Sequence, residues 1–303
     1  MIIPGFFTAA SLVILFWELA TRSRDDIRIL RSLKGEIVHH FVYGLSRIST
    51  LGYLVIMILF EVAPLGTCNG ILTASSSLYT VSIVFTTFLF YCRLRAVYAS
   101  RGDWYIPFLF CLLWLGAIIC SVTPFLGLSG VSVGTSKHCT ISPLIKGCVS
   151  TALIGPLLDT SLVFMFIAAR RAEQCQVDFS ASLGIRNFFA VDCVSVLNRG
   201  LLLDGQWLYL STILLQLISL ILFLLGPSVT ARIVLVPLNL TIMNVAACKV
   251  YVLSQAQKFD EEKTRKTKII QKLGMQIDHG QSDSVLTFFG GIKVTKTVEI
   301  SFS

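Results

Sequence analysis

Long apolar segments without charged side chains alternate along this chain with short polar segments. One of them, residues 71–92, lies between Cys68 and the basic cluster Arg93-Leu94-Arg95. A helix rises about 1.5 Å per residue, so a segment of this length can cross a hydrocarbon core of about 30 Å. The pattern therefore predicts a membrane-spanning helix at this position.

Six other segments have a similar pattern, so the chain is predicted to be all-α, with a bundle of seven transmembrane helices. The predicted spans are residues 2–19, 38–60, 71–92, 106–125, 147–169, 207–225 and 229–253. The fifth span contains Gly155-Pro156, which predicts a kink. Residues 1–255 would form the bundle. Residues 256–303 would form a tail that begins as a helix, because Glu261 and Arg265 are spaced to pair on one, and then becomes disordered from Gly274.

Basic residues fall in alternate loops of this arrangement. The loops after the first, third and fifth spans are rich in Arg and Lys, whereas residues 61–70 contain neither type. Positively charged loops remain on the cytosolic side of a membrane. We therefore expect an N-terminus outside the cell, a cytosolic C-terminus and a multi-pass protein of the plasma membrane.

The composition agrees with a membrane protein. Hydrophobic residues make up 54% of the chain and charged residues 14%, whereas soluble domains have about 25% charged residues. The mean hydropathy is +0.77. The net charge of +8 comes from the loops and the tail. The predicted partner is therefore the lipid bilayer, and nucleic acid is not expected.

Cys68 and Cys139 lie in the two predicted outer loops, on the oxidising side of the membrane. A disulfide between them would close a loop of about 70 residues and contribute about 4 kcal/mol by loop entropy. Cys148 is an alternative partner for either cysteine, and two free thiols are the other possibility.

Asp159 lies midway along the fifth predicted span, and Arg47 lies at a similar depth in the second. A charged side chain at this depth is costly unless it faces the bundle interior and finds a partner. We expect Asp159 and Arg47 to pair directly or to share a polar pocket, whose candidate residues are Asp159, Arg47, Asn239 and Asn244. Alternatively, Asp159 is protonated against a Ser or Thr, or Arg47 reaches the inner membrane face.

Cofactor and catalytic signals are weak. His39 and His40 are adjacent and point in different directions on a helix, so no metal is expected, and Lys249 lies too near the inner end for a retinal Schiff base. No nucleophile elbow or phosphate-binding loop is present in the sequence. We therefore expect no cofactor and no enzymatic activity.

Three motifs are similar to those of a large group of uncharacterised multi-span membrane proteins from mushroom-forming fungi. They are residues 93–98 (RLRAVY), 197–209 (LNRGLLLDGQWLY) and the pair 237–240 (PLNL) and 244–251 (NVAACKVY). The resemblance covers most of residues 1–255 and implies a multi-span fold, but it implies no activity. The layout is also receptor-like in outline, with seven spans and a cysteine before the third.

These features favour a receptor-like protein that senses a small-molecule or peptide ligand from outside. Arg93, Arg95 and Arg199 would then face a cytosolic signalling partner. The main alternative is a transporter or channel with a polar path at Asp159 and Arg47. A membrane enzyme or a structural protein is the third hypothesis.

Overall fold

The computed structural model describes residues 2–32, 37–63, 67–98, 105–132, 139–141, 146–174 and 196–278. Within these residues the chain forms nine helices and two short strands. They are α1 (Ile2–Ser32), α2 (Ile37–Val62), α3 (Cys68–Tyr98), α4 (Tyr105–Val122), α5 (Pro124–Gly127), β1 (Gly130–Ser132), β2 (Cys139–Ile141), α6 (Lys146–Gln174), α7 (Val196–Leu225), α8 (Val229–Ile233) and α9 (Val236–Asp278).

In the described part of the chain, six helical segments are long and apolar enough to cross a membrane. They are Phe41–Val62, Cys68–Tyr98, Tyr105–Gly127, Gly147–Arg170, Trp207–Leu225 and Ala231–Gln255. Large apolar side chains such as Phe108, Ile119, Leu214 and Leu225 are exposed on their outer faces. An apolar surface of this kind needs lipid rather than water around it. The protein is therefore an integral, multi-pass membrane protein, and six of the seven predicted spans are confirmed by length and composition.

The first predicted span lies in α1, whose apolar segment Gly5–Thr21 is shorter than the other six. The seventh span and the direction of the bundle in the membrane therefore stay predictions.

Helix α3 is the central helix of the bundle, because it packs against α2, α4 and α6. Its buried side chains include aliphatic and aromatic residues such as Leu89 and Phe90, but also several Ser and Thr hydroxyls. Packing between helices that are neighbours in chain order, from α1 to α2 and from α6 to α7, completes the bundle. The described residues thus form an up-and-down bundle built around a helix with a polar interior face.

Two prolines mark breaks in membrane-spanning segments. Pro124 begins α5 directly after α4 ends, and Pro237 is the second residue of α9, just past the break that follows α8. Proline lacks the N–H that a continuing helix needs, but it is tolerated in a first helical turn. By contrast, α6 continues as one helix through Pro156, and the kink at this position stays a prediction.

A small β-hairpin, which the sequence analysis did not predict, follows α5. Strand β1 pairs antiparallel with β2, with Val131 opposite Thr140. Gly130 packs directly on the first turn of α3, because a Cβ atom at this position would lie 2.7 Å from the carbonyl oxygen of Cys68. The hairpin is therefore held against the end of α3 that carries the cysteine.

Two boundaries differ from those expected. The helices extend past the predicted spans 147–169 and 207–225, since α6 continues to Gln174 and α7 begins at Val196. The segment 201–203 is three leucines, which are strong helix formers.

The chain divides into two compact units, Met1–Ala256 and Gln257–Ser303, close to the predicted boundary at residue 255. In the second unit the helix extends to Asp278, past the predicted limit at Gly274. The rest of the predicted disordered tail lies outside the described residues.

Candidate functional site

Cys68 and Cys139 form a disulfide in the structure, with their Cα atoms 5.4 Å apart. Both residues are buried between the start of α3 and strand β2. Cys148, the alternative partner, is a free thiol. We call this side of the bundle the disulfide end.

A cleft with an empty volume of about 760 Å³ lies at the disulfide end. Its walls come from α1, α2, β2 and the residues around the break between α8 and α9. Most of these side chains are apolar, and they include Met57, Phe60 and Ile233. We call this space the outer cleft.

A second cleft, of about 530 Å³, adjoins the outer cleft and shares Met57, Ile141 and Ile233 with it. Its lining is nearly all apolar and includes Tyr53 and Tyr79. The two tyrosine rings are buried and lie 5.8 Å apart between their centroids. We call this second space the inner cleft.

Glu61 supplies the carboxylate of the outer cleft. Thr8 Oγ1 donates a hydrogen bond of 3.4 Å to Glu61 Oε1, and Glu61 Oε2 is buried without a hydrogen-bond partner. Gly5 leaves room for this group, because a Cβ atom there would lie 3.1 Å from Oε2. The carboxylate therefore sits against α1, at the wall of an otherwise apolar space.

The described lining of the clefts contains no positively charged side chain that would balance this carboxylate. Among the described side chains that line either cleft, none is a Lys or Arg. Arg232, which lies on α8 beside lining residue Ile233, donates from Nε to the carbonyl oxygen of Gly226 at 2.8 Å. The lining of the two clefts thus carries a net negative charge at Glu61 when this group is ionised.

Five fully buried polar residues join α2, α3 and α9 beyond the clefts. Asn244 Nδ2 donates to Ser46 Oγ at 2.6 Å and to Thr86 Oγ1 at 3.3 Å. Ser46 and Thr86 bond each other at 2.9 Å, and Thr50 bonds Ser82 at 2.5 Å. We call Ser46, Thr50, Ser82, Thr86 and Asn244 the polar junction, and each is 0% exposed.

The polar junction lies just past the floor of the inner cleft. Tyr53 and Thr50 are three residues apart on α2, and Tyr79 and Ser82 are three residues apart on α3. Three residues correspond to about 4.5 Å along a helix. A ligand in the inner cleft would therefore be about one helical turn from the hydrogen bonds that connect three helices.

The residues of the predicted pocket differ in their hydrogen bonding. Asn244 belongs to the polar junction, whereas Asn239 Oδ1 is buried without a hydrogen-bond partner. Neither these residues nor Asp159 and Arg47 line the outer or inner cleft. The pocket around Asp159 therefore stays a prediction, separate from the clefts at the disulfide end.

Asp159 and Arg47 have separate environments. The Arg47 guanidinium lies 5.6 Å from the centre of the Tyr43 ring, and Nη2 is 3.5 Å from the Tyr43 hydroxyl oxygen, to which it donates. Asp159 is 4% exposed, and its Oδ2 atom has no hydrogen-bond partner. Arg47 is therefore held by an aromatic residue of its own helix, and the hypothesis of a direct pair with Asp159 is not supported.

Arginine–tyrosine contacts occupy the opposite side of the bundle, which we call the basic end. Arg93 lies 5.5 Å from the Tyr209 ring centre, and Arg170 lies 5.9 Å from the Tyr98 ring centre. Tyr98 also donates to the carbonyl oxygen of Phe166 at 3.0 Å. These contacts join α3 to α6 and α7.

The three predicted partner-binding arginines differ in availability. Arg95 is exposed, whereas Arg93 is partly buried against Tyr209. Arg199 lies in α7, and its side chain is outside the described part of the structure.

Sequence reasoning missed Glu61 as a site residue. A signal was present, because residues 61–70 contain no other charged residue. The signal could be interpreted only from the structure, in which α1 and the residues around the α8–α9 break surround the Glu61 carboxylate.

Comparisons with known proteins add no family. No protein-family model matches the chain, and no curated protein is significantly similar to it.

Proposed function

We propose that this protein is a receptor-like protein of the plasma membrane that binds a ligand at its disulfide end. It would signal to a cytosolic partner from its basic end, and it would not act as an enzyme. The observation that carries this proposal is the position of the outer and inner clefts, which adjoin each other beside the Cys68–Cys139 disulfide.

The packing between the two ends supports a receptor over a transporter. A transporter alternates access to a central site, and polar groups that line its path must meet water. The polar junction instead consists of side chains that are fully buried and bonded to one another. Beyond it, Phe90 and Leu94 are also fully buried. A ligand would therefore act by changing how α2, α3 and α9 pack rather than by crossing between them.

The proposal also gives a route for the signal. Helix α3 carries Tyr79 at the inner cleft, Ser82 and Thr86 at the polar junction, and Arg93 and Arg95 at the basic end. A shift of α3 would thus reach both the ligand site and the face that meets the partner. Exposed Arg95 would contact that partner directly.

Accessibility of single cysteines tests the proposal. Ile233→Cys places a thiol in both clefts, and Asn244→Cys places one in the polar junction. The background carries serine at Cys92, Cys111, Cys120 and Cys148, which are the partly exposed free cysteines of the described residues, and at Cys175 and Cys193, which lie outside them. We expect a membrane-impermeant thiol reagent outside the cell to label Ile233→Cys and to leave Asn244→Cys unlabelled from either side.

Two results would contradict the receptor proposal. Labelling of Asn244→Cys from both sides of the membrane would show an alternating path and favour the transporter. Failure to label Ile233→Cys from outside would show that the clefts do not admit a ligand from that side. Cys248, which is buried one turn beyond Asn244, serves as the internal control for protein that has lost its fold.

A further inference from the structure

The side chains that line the clefts at the disulfide end indicate the class of ligand. We infer that they bind an amphiphilic monocation, a protonated amine with an apolar body, whose ammonium group pairs with Glu61. The inference rests on the proposed function, because it identifies the ligand of the same clefts.

The charge requirement comes from Glu61. Its Oε2 atom is buried and has no hydrogen-bond partner, and the hydrogen bond from Thr8 to Oε1 is long at 3.4 Å. An ionised carboxylate in such a position is costly unless a cation or a strong donor reaches it. The described lining of the clefts provides no cation, and the side chain of Arg232 is directed to the carbonyl of Gly226. A cation supplied by the ligand would complete the site.

The ligand carries one charge because the lining offers one carboxylate. Among the described lining residues of the two clefts, Glu61 is the single acidic side chain. The remaining polar groups near it are the hydroxyls of Thr8 and Thr140. A second cationic group would lose its hydration without a counter-charge, which disfavours polyamines.

The apolar body of the ligand follows from the inner cleft. Met57, Ile141 and Ile233 line both clefts, so the apolar surface continues from the carboxylate into the inner cleft. There the walls include Leu72, Val149 and Leu153, together with the Tyr53 and Tyr79 rings. An aromatic or aliphatic group joined to the amine by a few methylenes would bury its surface in this space, while the amine remains at Glu61.

A matched pair of probes separates the charge from the apolar body. The probes are 4-phenylbutylamine and pentylbenzene, which replaces the ammonium group by a methyl group. The purified full-length protein is reconstituted in lipid nanodiscs, and binding is measured as a saturable rise in Tm and by calorimetry. We expect the amine to bind the unmodified protein at least about tenfold more tightly than pentylbenzene.

Variants of Glu61 test whether its carboxylate causes the preference for the amine probe. Glu61→Gln is expected to weaken amine binding by about tenfold or more and to leave pentylbenzene binding unchanged. Glu61→Asp keeps the charge and is expected to retain the preference, which covers the case in which Glu61→Gln does not fold. Glu18→Gln is the control variant, because Glu18 lies at the end of the apolar part of α1 that is far from Thr8. It is expected to have no effect on the binding of either probe.

The outcomes distinguish this inference from the proposed function. Equal binding of the two probes, or an amine preference that survives in Glu61→Gln, would overturn the inference, and Glu61 would then be a protonated wall residue. If neither probe binds but Ile233→Cys is labelled from outside, the amine inference also fails, while the clefts remain a ligand site of different chemistry. Ile233→Trp should reduce binding of both probes, and unchanged binding would place them outside the clefts.

Discussion

Asp159 and Arg47 are charged residues inside membrane-spanning helices, and the structure accommodates them in different ways. Arg47 has a cation–π contact with Tyr43, whose ring in turn packs 5.8 Å from that of Tyr251 on α9. Asp159 has a carboxylate oxygen that is buried without a hydrogen-bond partner. An arrangement of this kind stabilises the arginine but not the aspartate.

A double-mutant cycle tests this difference by thermal unfolding. Asp159→Asn is expected to raise the free energy of unfolding by about 1 kcal/mol or more, because a neutral amide costs less to bury than a carboxylate without a partner. Arg47→Gln is expected to lower it by about 1 kcal/mol through loss of the contact with Tyr43. The double variant should equal the sum within about 0.5 kcal/mol, as for independent sites.

Two results of this double-mutant cycle would contradict separate environments for Asp159 and Arg47. A coupling energy well above about 0.5 kcal/mol between positions 159 and 47 would reveal an interaction that the structure does not contain. A large loss of stability in Asp159→Asn would show that the carboxylate has a partner in the membrane.

At the scale of helices, the polar junction fixes the packing of α2, α3 and α9. Such hydrogen bonds matter in a membrane because lipid offers no replacement donors or acceptors, although measured values average about 0.6 kcal/mol per interaction. Asn244 reaches both Ser46 and Thr86, which also bond each other, so the loss of any one of the three removes two of their three mutual hydrogen bonds. The junction therefore sets the register of three helices rather than supplying most of the stability.

Two adjacent threonines of α3 offer a matched test of this role. Thr86 bonds Ser46 and Asn244 across helices, whereas the Thr87 hydroxyl donates to the carbonyls of Ile83 and Val84 on its own helix. We expect Thr86→Val to lower stability by about 1–2 kcal/mol and Thr87→Val by less than about 0.5 kcal/mol. Equal losses, measured by thermal unfolding in the same detergent, would show that the hydroxyls do not connect the helices.

Six of the seven predicted spans are confirmed, because hydropathy reports directly on whether lipid can solvate a segment. It also identified Cys68 and Cys139 as a pair, because both lie on the predicted oxidising side. Hydropathy does not report which face of a helix meets which neighbour. Asn244 was therefore assigned to the pocket of Asp159, although its partners are Ser46 and Thr86.

The hairpin and Glu61 were missed for related reasons. Each strand has three residues, too few for an alternating pattern to stand out, and the hairpin is positioned by the disulfide and by the contact of Gly130 with Cys68. Glu61 stands at the end of its span, where charged residues are common, so the lack of other charges in residues 61–70 was too weak a signal by itself. Its role depends on side chains more than fifty residues away in either direction along the chain, including Thr8 and Ile233.

At the scale of the whole molecule, the two ends of the bundle differ in chemistry. The disulfide end has apolar clefts and a carboxylate, whereas the basic end has arginines packed on tyrosines. The orientation of a membrane protein usually follows its loops, because loops rich in Lys and Arg stay in the cytosol and loops poor in these residues lie outside. The ligand site would thus face outward and the arginines would face the cytosol.

This orientation depends on α1, because the number of spans decides where the termini lie. Six spans place both termini on one side of the membrane, and seven place them on opposite sides. The apolar segment Gly5–Thr21 would cover about 25 Å at about 1.5 Å per residue, slightly less than the hydrocarbon core. However, α1 continues from Ile2 to Ser32, packs against α2 and places Thr8 on Glu61, so its apolar part runs beside a helix that spans.

We therefore expect α1 to cross the membrane, and epitope tags test the expectation in intact cells. A tag before Met1 should be accessible to antibody from outside, and a tag after Ser303 should become accessible only after permeabilisation. A third tag between residues 133 and 138, beside the disulfide-bonded hairpin, is the control and should be accessible on the same side as Met1. Accessibility of both termini from one side would contradict the seven-span arrangement, because α1 would then lie along the membrane while the other six segments span it. The tag at residues 133–138 would still report whether the clefts face outward, so the ligand site and the span count are tested independently.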